Sequence, residues 1–369
     1  MDHTATRRDR LQRCLVNQGL QALLITGSAN VTYLTGFTGD SSALVLTTDR
    51  AILLSDPRYV GQIADECPEV ETSIRSPQRT VYQALGELVS KLGVRQVGCE
   101  ANHLTLADAQ TLRETAPEVD WKPEAGRVEQ LRIIKDDLEL AQIREAIRVA
   151  ENAFAAFRAT LRPDDTEKDL ADLLEALVRR CGGHTCAFAP IVAVGTRAAL
   201  PHCPPTQRRV REAGVLLVDW GARLASGYHS DLTRVFDTHR TSPSDPASRD
   251  RLARIYAVVH QAQQAAIDTV RPGVKACEVD RAARAVIEQA GYGEQFGHGL
   301  GHGIGLQIHE LPFLRATSEI ELAEGMVFTL EPGIYLPQWG GVRIEDDVRV
   351  TADGCEILTS VPRETALVF

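Results

Sequence analysis

Over residues 1–125 the apolar positions come as short runs separated by stretches of helical spacing. Arg7–Gln18 and the segments near Val81–Leu92 and Leu106–Thr115 return an apolar residue every three or four positions, whereas Ala22–Thr26, Ala43–Thr48 and Ala51–Ser55 are apolar runs of strand length. The last two flank Asp49-Arg50 and predict a hairpin. Strands mixed with helices over this length predict a small α/β domain. From Asp136 the rhythm changes: Leu138, Leu140, Ile143, Ala146, Ile147 and Ala150 recur at helical spacing through about Leu161 in a setting rich in Glu and Arg. The pattern places residues 1–125 in one domain, residues 126–135 in a linker and residues 136–369 in a second domain, α+β overall.

The second domain reads as one arrangement written twice. Helices over Asp136–Leu161 and Thr166–Arg180 lead to strands around Pro190–Val194, Val215–Trp220 and Asp231–Phe236. Helices over Asp250–Val270 and Cys277–Ala290 then lead to strands around Met326–Thr329, Ile334–Leu336 and Gly341–Glu345. Between the halves, Thr241-Ser-Pro-Ser-Asp-Pro-Ala-Ser248 reads as a surface connection.

A chain of 369 residues exceeds a typical single core and suits two. Its formal charge of -10 repels phosphate backbones and anionic membranes, which excludes nucleic acid as an expected partner. No apolar h-region follows the basic N-terminus and no window reaches the ~18 apolar residues of a membrane span, so a cytoplasmic protein is expected. Eight cysteines without CxxC spacing fit reduced thiols. The tight group Cys181-Gly-Gly-His-Thr-Cys186 offers His184 beside two thiols but no second ligand pair, and Asn30-Val-Thr is a glycosylation sequon without a secretion signal.

Chemistry is signalled by acids where acids are costly. Asp219 ends the apolar run Gly214-Val-Leu-Leu-Val, and Glu331 ends Val327-Phe-Thr-Leu. Burying a lone carboxylate costs several kcal/mol. Asp231 follows Asp219 by 12 residues and Glu345 follows Glu331 by 14, so each half offers two acids. If the four converge, protons or cations must neutralise them, and two divalent ions would balance the charge.

The segment Gly297-His-Gly-Leu-Gly-His-Gly-Ile-Gly305 holds five glycines in nine positions, too many for a helix, and lacks the Glu of an HExxH site. Its glycines all fall on odd positions, which breaks the GxGxxG pattern. In an extended segment His298, Leu300, His302 and Ile304 would share a face. Arg343, two before Glu345, would lie beside the acids and orient Glu345 or a substrate. His202 and His309 carry little signal alone. Two Asp, two Glu and one imidazole form a hard, oxygen-rich donor set that suits Mn²⁺, with Co²⁺, Fe²⁺ and Zn²⁺ as alternatives. Two such ions sharing carboxylates can hold a bridging hydroxide and polarise a carbonyl, which implies hydrolysis.

Taken in order, Val218-Asp-Trp-Gly221, Gly227-Tyr-His-Ser-Asp-Leu-Thr-Arg234, Gly301-His-Gly-Ile-Gly-Leu-Gln-Ile-His-Glu310, Thr329-Leu-Glu-Pro-Gly333 and Val342-Arg-Ile-Glu-Asp346 resemble the metal-site segments of the pita-bread metallopeptidases, which include proline-specific aminopeptidase, Xaa-Pro dipeptidase and methionine aminopeptidase. Asn30-Val-Thr-Tyr-Leu-Thr-Gly-Phe-Thr-Gly39 and Leu54-Ser-Asp-Pro-Arg-Tyr59 resemble the amino-terminal domain that the proline-cleaving branch shares with creatinase. The resemblance implies a pita-bread domain with pseudo-twofold helix-helix-strand halves and metal ligation by Asp219, Asp231, His302, Glu331 and Glu345. It implies His298 as an accessory residue, His202 and His309 at the scissile carbonyl, Glu331 as general base and Arg343 as support for the metal shell and substrate. It also implies a homodimer acting on proline-containing peptides or dipeptides, as Xaa-Pro aminopeptidase or Xaa-Pro dipeptidase. A metal-free creatinase-like C–N hydrolase and a catalytically silent peptide-binding module are the alternatives, and the intact set of five ligand positions argues against both.

Overall fold

The apolar run Ala22–Ile25 becomes a strand buried at all four positions, and the sheet of the first unit is built outward from it. The computed structural model describes residues 3–240, 246–363 and 366–368. Its chain divides into two units, Met1–Arg132 and Ile133–Phe369.

The first unit contains α1 (His3–Asn17), β1 (Ala22–Ile25), α2 (Ser28–Thr35), β2 (Ala43–Thr47), β3 (Ala51–Ser55), α3 (Val60–Glu66) and β4 (Glu71–Ile74). It continues with α4 (Val81–Leu92), β5 (Gln96–Glu100), α5 (Leu106–Thr115), β6 (Asp120–Glu124) and α6 (Arg127–Arg132). The strands order as β4-β3-β2-β1-β5-β6, with the expected β2–β3 hairpin antiparallel and β5 and β6 parallel to β1 and to each other. Helix starts follow local chemistry: Thr80 with Gln83, and Thr105 with Asp108, close capping boxes on α4 and α5.

The division between the units falls within residues 126–135, just after α6. Val128 is fully buried and the Arg132 guanidinium donates to Asn30 Oδ1 at 2.7 Å, which binds α6 into the first unit. The same Asn30 donates to Glu100 at 2.6 Å and to Glu129 at 2.8 Å, so the residue of the sequon is buried and committed. On the other side of the boundary, Ile134 pairs with Met326 and Lys135 N–H donates to Gly325 O, both in the second unit. The hexamer Arg127–Arg132 reads as polar because its charged groups find their partners only after folding.

The second unit opens with α7 (Asp137–Thr160) and α8 (Glu167–Arg180), each begun by a capping box, at Asp136 and at Thr166. β7 (Thr185–Cys186), β8 (Ile191–Val194), β9 (Val215–Trp220), β10 (Ala222–Arg223) and β11 (Leu232–Asp237) follow. Then come α9 (Pro246–Thr269), α10 (Ala276–Gln289), β12 (Gly301–Gly303), β13 (Glu310–Leu314), β14 (Val327–Leu330), β15 (Gly333–Leu336), β16 (Gly340–Arg343), β17 (Asp346–Val350), β18 (Cys355–Ile357) and β19 (Leu367–Val368). One half packs α7 and α8 on the sheet β19-β11-β9-β8, and the other packs α9 and α10 on β13-β12-β14-β17-β18. A bridge between Thr233 and Glu345 joins them.

Two details depart from the sequence pattern. Leu138, counted in the apolar stripe of α7, is 55% exposed because it lies in the first turn, outside the packed face. The connection expected over 241–248 is helical from Pro246, a residue tolerated in a first turn because its missing N–H has no helical acceptor there, while 241–245 lie outside the described residues. Among the described residues no helix is long and apolar enough to cross a membrane.

The first half is keyed by Trp220, fully buried, which stacks on Phe154 at 4.0 Å between ring centroids and donates its indole N–H to Ala150 O at 3.0 Å. Phe154→Ala removes that ring from a closed core and should destabilise the protein by about 3–5 kcal/mol. Chemical denaturation followed by tryptophan fluorescence checks this, and an unchanged midpoint would reject the role given to the stack.

Candidate metal centre

Asp219 sits in β9 and Asp231 immediately precedes β11, its antiparallel neighbour; Glu331 follows β14, and Glu345 lies between β16 and β17. His302 is the middle residue of β12. Side-chain atoms of Asp231, His302 and Glu345 lie within 4.8 Å of one another, and His302 Nε2 is 3.3 Å from Glu331 and 3.7 Å from Asp231. All five residues line one cavity of about 640 Å³ that His202, His298, His309 and Arg343 also face.

Glycine makes this convergence sterically feasible. A Cβ on Gly301 would stand 2.0 Å from Thr329 O, and one on Gly303 would stand 2.2 Å from Leu311 O, so β12 can lie between its neighbours only with bare backbone on both sides of His302. Only residues 301–303 of the glycine-rich run are strand. The pairing with β13 shifts register after His302, so the expected single face from His298 to Ile304 does not form, although His298 and His302 still reach the same cavity.

Hydrogen bonds fix the ring states. His302 Nδ1 lies 3.2 Å from Gly303 O; a carbonyl can only accept, so Nδ1 carries the proton and Nε2 presents its lone pair to the acids. Burial, then the neighbouring His309, lowers the His302 pKa to about 3 and keeps the ring neutral. His309 meets the His302 ring edge-on at 4.3 Å. By the same reasoning His298 donates from Nδ1 to Gly299 O at 2.8 Å and accepts at Nε2 from Tyr335 Oη at 2.9 Å, and burial followed by the Arg343 charge lowers its pKa to about 4.

Arg343 does not contact Glu345 directly. Its Nη2 pairs with Asp219 Oδ2, its Nη1 donates to Tyr335 Oη at 2.8 Å and its Nε donates to Thr233 Oγ1 at 3.1 Å. Thr233 in turn donates to Glu345 Oε2 at 2.6 Å. The guanidinium thus orients Asp219 itself and Glu345 through a hydroxyl, and its three kinds of nitrogen are engaged inside the protein. Tyr335 and Thr233 escaped the sequence reading; Thr233 lies two after Asp231, on the same face of the strand, which was a legible signal.

The electrostatics of this cluster are severe. Burial raises Asp219, and it raises Asp231 and Glu345 well above the ordinary carboxylate range, the latter two also through the neighbouring acids. Burial lifts Glu331 to about 8 even against the attraction of Arg343. Oδ1 of Asp219 and Oδ1 of Asp231 are buried without a hydrogen-bond partner among the described residues. Orphaned, mutually repelling carboxylate oxygens beside an imidazole lone pair form a donor set that fits hard divalent cations. A second grouping, Glu100, His103 and Glu129 in the first unit, differs: Thr26 N–H, Gly27 N–H and Asn30 already occupy the Glu100 oxygens, and Asn30 and His103 hold Glu129. The Cys181–Cys186 segment contributes to neither grouping.

A stability consequence follows. Because Glu331 has a folded pKa of about 8 against an ordinary 4.5, its protonated form favours the folded state; that contribution is complete below pH 4.5 and is lost as pH rises through 8. Metal-stripped protein should therefore lose thermal stability between pH 5 and about 8.5, and Mn²⁺ should restore more of it at the alkaline end. Calorimetry across that range checks the sign; stability that rises with pH in the stripped protein would contradict it.

Comparison with known proteins agrees with this architecture. Residues 141–352 match Metallopeptidase family M24, and residues 7–134 match the Creatinase/Prolidase N-terminal domain. The chain is 33% identical to the Xaa-Pro dipeptidase of Pyrococcus horikoshii over 345 residues, covering 94% of each. It superposes on an Xaa-Pro dipeptidase from Bacillus anthracis with a TM-score of 0.91 at 33% identity, covering 99% of this chain and 100% of that one. An X-Pro aminopeptidase from Thermotoga maritima gives 0.86 at 34%, covering 98% and 100%. The fold is α+β, a creatinase-type domain followed by a pita-bread domain, and the chain belongs to metallopeptidase family M24.

Proposed function

We propose that this protein is a dinuclear-metal peptidase that hydrolyses the bond between an N-terminal residue and proline, with Asp219, Asp231, His302, Glu331 and Glu345 holding two divalent ions. The observation that carries this reading is the meeting of these five groups in one cavity that also has an apolar, proline-rich stretch of wall: Phe188, Pro190, Pro201, Pro204, Pro205 and Phe313. The hard donor set favours Mn²⁺, with Co²⁺, Fe²⁺ and Zn²⁺ as alternatives. Such ions supply Lewis acidity and lower the pKa of water toward neutrality.

The protein's own groups do the rest. Glu331 faces the cavity beside His302, where its carboxylate can take a proton from the attacking water and return it to the leaving nitrogen. His309, whose pKa burial lowers, and His202 face the cavity from opposite stretches of chain, where they can donate to the oxyanion as the carbonyl becomes tetrahedral. His298, held by Gly299 and Tyr335, keeps Tyr335 and Arg343 in register behind Asp219. The apolar wall suits a proline ring, which has no N–H to satisfy. A cytoplasmic location is the reading that its eight free thiols support, and a homodimer is the reading that the creatinase-type domain supports.

Arg315 supports dipeptides over longer peptides. It is exposed, lines the same cavity and sits with its guanidinium 5.5 Å from the Phe313 ring centre, where it can pair with the free carboxylate of a C-terminal proline.

Chelation should abolish hydrolysis of Ala-Pro, and Mn²⁺ should restore it; activity that persists in rigorously metal-free protein would reject the reading. Arg315→Ala should raise KM for Ala-Pro by about 10- to 100-fold, the loss of one charge-assisted pair, and leave Ala-Pro-Ala nearly unaffected. Steady-state kinetics on both peptides checks this, and equal losses would remove the carboxylate contact.

A further inference from the structure

We infer that Lys135 and Glu310 form a positioning pair that aims His309 into the cavity. Lys135 stands just past the boundary between the units, and its ammonium lies 3.0 Å from Glu310 Oε1, with side chains only 1% and 4% exposed. Glu310 is the residue next to His309 and the first of β13. The His309 ring meets the His302 ring edge-on and makes no side-chain hydrogen bond among the described residues, so its direction is set by the backbone that carries it.

That backbone is folded around the Glu310 carboxylate. Oε2 accepts from Gln307 N–H at 3.2 Å, and Oε1 packs so closely beneath Gly305 that a Cβ there would stand 2.6 Å away. Gly305 N–H donates to Gln307 O, and Gly305 O accepts from His229 N–H at 3.0 Å, which closes the turn against the segment leading to Asp231. The acid is thus the inner post of the turn from Gly305 to His309, and the Lys135 ammonium beside it holds the post in place. Lys135 is itself held at its backbone by Gly325 O. A charge pair with fixed backbone at both ends specifies direction, which apolar packing at the same volume would not.

This inference rests on the peptidase reading for its kinetic arm. Lys135→Met/Glu310→Leu removes both charges together and strands neither. With Ala-Pro and saturating Mn²⁺ its kcat should fall by about 10- to 100-fold at nearly constant KM, the effect of an ångström-scale misplacement, while Lys135→Arg should retain most activity. In a His309→Ala background the same pair of changes should lower kcat by less than about twofold. Equal losses in both backgrounds, or an unaltered kcat in folded double variant, would overturn the assignment. Glu310→Gln, isosteric and still able to accept from Gln307, carries the same comparison if the double variant fails to fold. NMR of histidine-labelled metal-free protein separates the two failures: loss of the His302–His309 ring contact in the variant supports positioning even if no Xaa-Pro substrate is turned over, and an undisturbed contact refutes it.

Discussion

Four buried carboxylates share one cavity, and among the described residues the guanidinium that pairs with them, Arg343, reaches Asp219 alone. Everything around the centre is arranged to make that concentration of charge bearable. The surrounding strands bury the acids, so their proton affinities rise, and the site is left with an affinity for cations that exposed acids would not have. The geometry that costs stability when the acids ionise alone is also the geometry whose donor set fits hard divalent cations, so ion binding would stabilise the fold.

Around the acids lies a chain of directional contacts. Arg343 holds Asp219, Tyr335 and Thr233; Tyr335 holds His298; Thr233 holds Glu345. The links from Arg343 to Asp219 and Thr233, and from Thr233 to Glu345, cross between the two halves of the second unit, which thus meet through their side chains as well as through the Thr233–Glu345 bridge. Arg234, fully buried behind them, donates to Glu345 O and pairs with Asp346, fixing the backbone that presents the acid. An apolar core alone would leave these carboxylates free to rotate; the network removes that freedom.

Much of the architecture was legible because its periodicities are strong. The long helices of the second unit appear within a few residues of their expected limits, since their caps at Asp136 and Thr166 are written locally. β4 and β6 were not legible: Glu71-Thr-Ser-Ile and Asp120-Trp-Lys-Pro-Glu are mostly exposed edge strands, whose pairing is decided by a neighbour and not by their own pattern. The helix inside 126–135 was hidden for a related reason. Arg132, Glu129 and Lys135 look like solvated charges, and each acquires its partner from residues about 25 to 175 positions away.

What the amino-acid sequence determined by itself was the inventory: an acid at the end of each buried apolar run, a second acid on the next strand, and imidazoles in a stretch too rich in glycine to be helical. Composition and spacing suffice for that because burying a carboxylate is costly wherever the chain goes. Which carboxylate meets the guanidinium, which ring nitrogen faces the acids, and that Tyr335 and Thr233 stand between them were decided only by tertiary structure. Those choices depend on distances of a few ångströms between strands far apart in the chain, and one register shift in β12 is enough to change them.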